Sequence, residues 1–481
     1  MAWCGIMAVL SAQQQSAAEY SLERVSPVDG RVVSRETAYD RDHCLGLTAQ
    51  AAAAFPQWSG LRATERAAFL VTAARELETR RDDFLASMAD EIGAPAEWAL
   101  QNLHFAAEIL RETATYAQEV EQVEPLPERR GLDSRAVRMP CGVCLCISPW
   151  NAPLVLGARA IAMPLLCGNT VLLKGSEFAP RTFRMFGEVL EAAGLPEGVA
   201  RVILTRAEDS EEVVEALIAS PVVRRVNFTG STRVGRRVAE LSAKHLKRSL
   251  LELGGQSAML VLGDADIDLA AAAALEGAYT NQGQVCMSTE RLIVADDLAD
   301  ALIVRIEEGR RKLKFGDPRE AATQVGPVIS IDAAERLTGL ISDALSKGAE
   351  LVGGGKARDA FLEPTLLDRV EPDMRVYREE VFGPILAVTR VANDLEAITV
   401  ANDSEYGLAC AVFSANEERA GIVAEQLHSG ICHINRCTID DTPHAPFGGV
   451  KSSGYGRFGG RWAIHEFTEL RWLTRARKPG V

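Results

Sequence analysis

Apolar residues follow a helical spacing in the first quarter of the chain. From residue 40 to about residue 119 the sequence is rich in Ala, Leu, Glu and Arg, and apolar side chains recur with the helical period over 66–77 and 97–110. These segments predict a helical region. A polar, Pro-containing stretch over 121–132 then predicts a linker.

Beyond the linker, short apolar runs typical of buried strands alternate with helical segments. Strands are predicted over 142–148, 170–174, 223–228, 257–262, 291–295 and 385–390. Helices are predicted over 153–166 and 298–312, and a further α/β segment over 350–354. Such alternation is typical of parallel sheets with right-handed crossovers. The sequence therefore predicts an α/β fold with two doubly wound parallel-sheet domains in series.

One more predicted strand, 469–474, follows these domains. Its side chains alternate between apolar and polar types. We expect its edge to be unpaired unless another subunit supplies a partner strand.

Composition narrows the class of protein. The 481 residues contain 52 Lys and Arg against 66 Asp and Glu, a net charge of −14, which would repel nucleic acid. No apolar run approaches the roughly 18 residues of a membrane span. The apolar start, residues 1–10, lacks the basic residues of a signal peptide and predicts a loose tail. The ten cysteines are then expected to stay reduced, which favours the cytoplasm.

Two patterns resemble metal sites but lack the required ligands. Cys141, Cys144 and Cys146 have no second cysteine pair to complete a tetrahedral zinc site. The acidic run over 264–268 lacks the Gly and the final Glu of a calcium loop. His433 and His444 lack ligand spacing, so we expect no metal.

Several short motifs occur in a fixed order. A strand runs into Gly230 and Ser231 at the start of a helix, a place that favours phosphate, although neither GxGxxG nor a P-loop is present. The motifs are SPWNAP (148–153), GNTVLLKGSE (168–177), FTGS (228–231), LELGG (251–255), NQGQVCM (281–287), EVFGP (380–384) and PFGGVK (446–451). Together they resemble the NAD(P)-dependent aldehyde dehydrogenase family from about residue 25 onward.

The resemblance implies three catalytic residues. Oxidation by hydride loss is easier from a tetrahedral adduct, which needs a nucleophile, an oxyanion site and a base for water. Cys286 would supply the thiolate, and the Asn151 amide with the Cys286 N–H would hold the oxyanion. Glu252 would activate water to hydrolyse the thioester. Asn151 could also cap the helix that starts at Pro153.

The resemblance also implies a cofactor site. Lys174 and Glu177 would hold the adenosine ribose, and Glu177 would repel a 2′-phosphate, so NAD is favoured and NADP stays possible. Gly175 departs from the Pro of many relatives. The expected cofactor-binding residues are Ile147, Ser148, Pro149, Trp150, Lys174, Ser176, Glu177, Phe228, Thr229, Gly230, Ser231, Val234, Leu253, Gly254, Glu380 and Phe382.

Segments 430–435 and 446–460 resemble the benzaldehyde, vanillin and salicylaldehyde dehydrogenase branch, which implies an aromatic aldehyde. Arg159 would face the pocket and orient a ring substituent, or form a salt bridge at the domain interface. Arg436 and Cys437 depart from that branch. The expected substrate-binding residues are Val155, Arg159, Met287, Ile439, Asp441 and Phe447.

The resemblance further implies a domain plan and an oligomer. Residues 1–122 and 141–252 would form the NAD-binding Rossmann-like domain, 253–445 the catalytic domain, and 446–464 a return to the cofactor side. Segments 123–140 and 465–481 would form a small β extension that makes a homodimer or homotetramer. Three alternatives stay open: a dehydrogenase for aliphatic aldehydes or semialdehydes, a thiol hydrolase using Cys286, and an inactive scaffold.

Overall fold

The computed structural model describes residues 21–127 and 132–476. The helices are α1 (Arg41–Gly60), α2 (Ala63–Thr79), α3 (Arg81–Ile92), α4 (Ala96–Thr115), α5 (Ala117–Val120), α6 (Pro153–Leu166), α7 (Pro180–Ala192), α8 (Ser210–Ala219), α9 (Thr232–Lys244), α10 (Ile267–Tyr279), α11 (Asp296–Arg310), α12 (Ile331–Ser346), α13 (Arg375–Arg378), α14 (Asp394–Asn402) and α15 (Glu417–Ala424). The strands are β1 (Ser21–Val25), β2 (Val32–Thr37), β3 (Glu124–Pro125), β4 (Leu132–Pro140), β5 (Val143–Ile147), β6 (Thr170–Lys174), β7 (Ala200–Ile203), β8 (Val223–Thr229), β9 (Arg248–Glu252), β10 (Ser257–Val261), β11 (Thr289–Ala295), β12 (Glu350–Gly353), β13 (Ala357–Arg358), β14 (Phe361–Leu362), β15 (Thr365–Asp368), β16 (Ile385–Val391), β17 (Ala409–Phe413), β18 (Ile431–Ile434), β19 (Gly454–Tyr455) and β20 (Thr468–Ala476).

The first large sheet has six strands in the order β19-β9-β8-β5-β6-β7. Strands β5 to β9 pair in parallel, and β19 joins the edge antiparallel to β9. Every residue of β5 is buried, as expected for a strand covered by helices on both faces. This burial also explains the Cys144 and Cys146 side chains, which fill core positions on β5.

The second large sheet has seven strands in the order β12-β15-β16-β11-β10-β17-β18. Its strands pair in parallel except β12, which runs antiparallel to β15. The predicted α/β fold with two parallel sheets is confirmed. In the first sheet, the carboxyl ends of β5, β6, β8 and β9 lead into the motif loops, the position where α/β folds bind ligands. In the second sheet, the motifs 281–287 and 380–384 instead precede β11 and β16 and lie at the amino ends of these strands.

The predicted helical region is confirmed by α2 and α4, which contain the two periodic segments. Both helices pack within the core that also buries α6. Trp58 on α1 is fully buried, and its indole N–H donates to the carbonyl oxygen of Leu165 at 3.1 Å. The helical layer therefore closes over the face of α6 and helps to build one wall of the site described below.

A third sheet has the order β20-β4-β3. Strand β20 pairs antiparallel with β4 along its whole length, from Thr468 opposite Pro140 to Ala476 opposite Leu132. The expectation that this strand lacks a partner within its own chain is therefore wrong. Its partner lies more than 300 residues earlier, and an alternating pattern does not show such a distant pairing. Part of the predicted linker forms β3, while residues 128–131 lie outside the described residues, as does the predicted tail over 1–10.

No helix among residues 21–127 and 132–476 is long and apolar enough to cross a membrane. In the same two ranges, no group of three or more His, Cys, Asp or Glu side chains is arranged to hold a metal ion.

Candidate active site

Cys286 lies in a tight loop between α10 and β11. After α10 ends at Tyr279, Asn281, Gln282 and Gly283 adopt the left-handed conformation, with φ of +49°, +59° and +68°. The side-chain amide of Gln282 donates to the carbonyl oxygens of Gly93 and Pro327 at 3.1 and 2.9 Å, which anchors the turn. A Cβ on Gly283 would lie 2.2 Å from the oxygen of Gly383, so this position requires glycine.

Asn151 follows β5 in the loop that leads into α6 and is 4% exposed. Its amide nitrogen donates to the carbonyl oxygen of Gln284 at 2.9 Å, two residues before Cys286. The N-cap residue of α6 is Ala152 and has no side-chain cap, so the interpretation of Asn151 as a helix cap is wrong. The indole N–H of Trp98 donates to the Asn151 carbonyl oxygen at 3.0 Å and fixes this loop.

Glu252 is the last residue of β9 and is 1% exposed. The Cys286 thiol interacts with this carboxyl group, whose two oxygens have no other hydrogen-bond partner among the described residues. Burial raises the pKa of this carboxyl group to about 8. Burial also raises the pKa of the Cys286 thiol, and the nearby charge of Glu252 adds to that rise. Glu252 and Cys286 both line a cavity of about 340 Å³.

The glycines after Glu252 allow this close assembly. A Cβ on Gly255 would lie 2.4 Å from the carbonyl oxygen of Cys286, and a Cβ on Gly254 would lie 2.5 Å from a carboxylate oxygen of Glu380. The backbone N–H of Gly255 donates to Glu380 at 3.0 Å. The LELGG motif therefore brings Glu252, the segment of Cys286 and Glu380 close together.

A groove of about 570 Å³ runs along the carboxyl edge of the first sheet. At one end, the Lys174 ammonium lies 3.5 Å from the Glu177 carboxylate. In the middle, the Ser231 hydroxyl accepts the N–H of Val234 at 3.4 Å and caps α9. The predicted residues in its wall are Ile147, Ser148, Pro149, Trp150, Lys174, Ser176, Glu177, Phe228, Thr229, Gly230, Ser231 and Val234.

The groove continues into the 340 Å³ cavity beside Cys286, since both share the walls of Trp150 and Gly230. Leu253, Gly254, Glu380 and Phe382, the other predicted cofactor residues, also line this cavity. The ring of Phe382 meets Trp150 edge-on, with centroids 5.8 Å apart. A continuous channel therefore links the Lys174–Glu177 pair to the thiol.

On its other side Cys286 opens into a second cavity of about 570 Å³. Its walls contain all six predicted substrate residues: Val155, Arg159, Met287, Ile439, Asp441 and Phe447. The Arg159 guanidinium lies 2.5 Å from the Asp441 carboxylate and 4.0 Å from the ring centroid of Phe447. Arg159 therefore lines the cavity and forms an ion pair, and its role in orienting a ring substituent stays a prediction.

The sequence profile of the aldehyde dehydrogenase family matches residues 13–473. The chain belongs to this family. A vanillin dehydrogenase of Pseudomonas sp. (strain HR199 / DSM 7063) is 50% identical over 457 residues, 95% of this chain and 94% of that relative. A salicylaldehyde dehydrogenase of Pseudomonas sp. (strain C18) is 44% identical over 95% of both chains. The crystal structure of a Pseudomonas putida G7 salicylaldehyde dehydrogenase complexed with salicylaldehyde matches with a TM-score of 0.94 and 43% identity, covering 97% of this chain and 96% of that one.

The departure from the family pattern at Gly175 has a local cause. A Cβ at this position would lie 2.5 Å from the ring of Phe183, which is fully buried on α7. Proline cannot be placed here unless the Phe183 ring moves. The aromatic side chain therefore occupies the space that a larger residue 175 would need.

Several cavity residues were not predicted from the sequence. Helix α4 contributes Trp98, Asn102 and Phe105, and α10 contributes Leu269 and Ala273. The periodicity of 97–110 predicted the helix but could not tell which residues face a cavity, because core-facing and cavity-facing apolar side chains give the same pattern.

Proposed function

We propose that this family member oxidises an aromatic aldehyde to its carboxylic acid with NAD as the hydride acceptor. The observation that carries the proposal is the position of Cys286. The thiol lies where a cavity with aromatic walls meets the channel that leads to the Lys174–Glu177 pair.

The groove residues fit NAD. The hydroxyl of Ser148 is buried in the groove wall without a hydrogen-bond partner among the described residues, and the N-terminus of α9 opens into the groove. A helix N-terminus stabilises phosphate. The Glu177 carboxylate beside Lys174 would accept ribose hydroxyls and would repel the 2′-phosphate of NADP. When bound, NAD accepts the hydride that leaves the substrate carbon.

In the first step Cys286 attacks the aldehyde carbon, and its sulfur forms a thiohemiacetal. Burial raises the pKa of the thiol, so its proton must pass to solvent water in the shared cavity before the sulfur attacks, and Glu252 stays unprotonated for the later hydrolysis. The adduct oxygen would be held by the Cys286 N–H and the Asn151 amide. The Asn151 amide has a second hydrogen free for this task, since an amide carries two and one is donated to Gln284.

After hydride loss the acyl group is a thioester on Cys286. Glu252 takes a proton from a water molecule, the hydroxyl oxygen attacks the thioester carbon, and the Cys286 thiolate leaves as the acid forms. A base pKa of about 8 suits this role, because an efficient base has a pKa near the working pH.

The aromatic substrate is supported by the walls of the cavity. Trp98, Phe105 and Phe447 offer ring faces and edges. Arg159 and Asp441 supply the polar contact that a ring hydroxyl or methoxyl group would need. The named relatives carry aromatic aldehydes in their names, which supports the same substrate class.

The proposal is tested by following NADH absorbance with NAD or NADP and a panel of aldehydes. The panel holds benzaldehyde, its hydroxylated and methoxylated forms, a short aliphatic aldehyde and succinic semialdehyde. We expect the highest kcat/KM for the ring aldehydes with NAD. A preference for the aliphatic or semialdehyde members would overturn the aromatic assignment. Ester hydrolysis without any NADH formation would instead favour a thiol hydrolase, and inactivity in both assays an inactive scaffold.

We further propose that the protein forms a homo-oligomer and works in the cytoplasm. Strand β20 keeps one open edge and exposes Leu470, Trp472 and Leu473, which supports a homodimer or homotetramer formed through 123–140 and 465–481. Light scattering tests the oligomeric state, and a monomer would contradict the proposed oligomer.

The described cysteines are all free thiols, which supports the cytoplasm as the location. The cofactor domain would end at residue 252, and the catalytic domain would begin at residue 253.

A further inference from the structure

Glu290 is a buried carboxylate that no step of the proposed reaction uses. It is the second residue of β11, four residues after Cys286, and is 3% exposed. Its two oxygens accept the backbone N–H groups of Val381 and Phe382, at 2.8 and 2.7 Å. Glu290 therefore connects the nucleophile segment to the segment 380–382, which lines the cavity beside the thiol.

The backbone of this segment is strained. Phe382 has a φ of +45°, a conformation that a bulky residue adopts only when its surroundings hold it there. The guanidinium of Arg336 donates to the carbonyl oxygens of Glu380, at 3.2 Å, and of Val381. Arg336 thus holds the carbonyl side of the segment, and Glu290 holds its amide side.

The strained segment carries two of the expected cofactor-binding side chains, Glu380 and Phe382. Under the proposed function the nicotinamide would lie beside them, because the hydride leaves the carbon that is bonded to the Cys286 sulfur. Phe382 lies edge-on against Trp150, and Glu380 accepts the N–H of Gly255. Both side chains face the cavity shared by Cys286 and Glu252. If the segment relaxed to an ordinary backbone conformation, both side chains would shift relative to the thiol.

Burying a carboxyl group at position 290 lowers the stability of the folded protein. This cost is justified only if the two oxygens are needed to accept the N–H groups of Val381 and Phe382. The group is buried near Glu380, and burial together with the charge of Glu380 raises the pKa of Glu290, whereas the N–H donors of Phe382 and Val381 lower it and favour the carboxylate. An apolar side chain of similar volume would avoid this cost. Among the acidic and amide side chains, only a carboxylate offers two acceptor oxygens to two adjacent N–H donors, since an amide would present its own NH₂ group to one of them.

We propose that Glu290 is a positioning residue that holds Glu380 and Phe382 in place around the nicotinamide half of the cofactor. The inference rests on the proposed function.

The test compares the binding of NADH and of ADP to the full-length protein by calorimetry. ADP shares the adenosine and diphosphate of NADH but lacks the nicotinamide and its ribose. In Glu290→Gln we expect the affinity for NADH to fall about tenfold, as for one lost charge-assisted hydrogen bond, while the affinity for ADP stays within about twofold.

Glu91→Gln is the matched control. Glu91 is a buried carboxylate whose oxygens accept the N–H groups of Arg181 and Thr182, at 2.8 and 3.0 Å, at the start of α7. Its loss should change both affinities together and leave their ratio as in the wild type. If the ratio of the NADH affinity to the ADP affinity is unchanged in Glu290→Gln, the inference is overturned, but the proposed function is not. Failure of the wild-type protein to bind NADH would overturn the proposed function and the inference with it.

A measurement on the unaltered protein covers the case in which Glu290→Gln does not fold. Amide hydrogen exchange should show Val381 and Phe382 exchanging as slowly as the buried amides of β11, because Glu290 holds both N–H groups. Exchange at the rate of an exposed loop would overturn the inference.

Discussion

The guanidinium of Arg159 lies 2.5 Å from the carboxylate of Asp441, although 282 residues separate them in the chain. Arg159 belongs to α6 beside the first sheet, and Asp441 to the loop that follows β18 of the second. The pair therefore links the two parallel-sheet regions across the proposed substrate cavity.

Breaking this pair from one side should destabilise the protein. Arg159→Met leaves the Asp441 carboxylate buried without its partner, so we expect the free energy of unfolding to fall by about 3 kcal/mol in denaturant titrations. The double variant Arg159→Met/Asp441→Asn removes the orphaned charge and should recover at least half of the loss. Equal stability of Arg159→Met and the wild type would contradict the ion pair.

Removal of the thiol should separate chemistry from cofactor binding. In Cys286→Ala no NADH should form with any aldehyde, because no thiohemiacetal can form. NADH affinity, measured by calorimetry, should stay at the wild-type value. Residual turnover above the background would rule out the covalent mechanism.

Glu252 predicts a definite dependence of stability on pH. Its carboxyl pKa is raised from about 4.5 to about 8 in the folded state, so between these values the folded protein keeps a proton that the unfolded chain has lost. The contribution of the protonated Glu252 to the free energy of unfolding is fully present below pH 4.5 and is lost as the pH rises through about 8. The glutamine of Glu252→Gln cannot titrate. The free energy of unfolding of the variant minus that of the wild type should therefore increase as the pH rises across this range. Parallel curves for the two proteins would refute the raised pKa.

Charge at position 177 should set the choice of dinucleotide. Glu177→Gln keeps the shape of the side chain beside Lys174 but removes the charge that opposes a 2′-phosphate. We expect the ratio of kcat/KM for NADP to that for NAD to rise about tenfold or more. Glu188→Gln serves as the control, since Glu188 pairs with Arg80 and Arg184 outside the groove. If both variants shift the ratio equally, Glu177 does not select the cofactor.

The sequence predicted six of the parallel strands, because β5, β6, β8, β10, β11 and β16 each contain a short apolar run. The sequence also predicted that Cys286, Glu252 and Asn151 belong to one site, because each lies in a motif of the same family. These predictions used local patterns or motif order, which a single sequence displays directly.

Other features depend on contacts between distant segments, which no local pattern records. The β20–β4 pairing and the ion pair between Arg159 and Asp441 are of this kind. Glu290 gave no signal, because a single glutamate in an apolar strand has no motif until the amides of Val381 and Phe382 are placed beside it.

The most direct test of the proposed function is to trap the acyl-enzyme. Glu252→Gln, mixed with NAD and benzaldehyde, should release one NADH per site in a burst and then turn over slowly, because water is no longer activated. Mass spectrometry of the quenched protein should find one benzoyl group on Cys286. Normal steady-state turnover without a burst, or a benzoyl group on any other residue, would contradict the proposal.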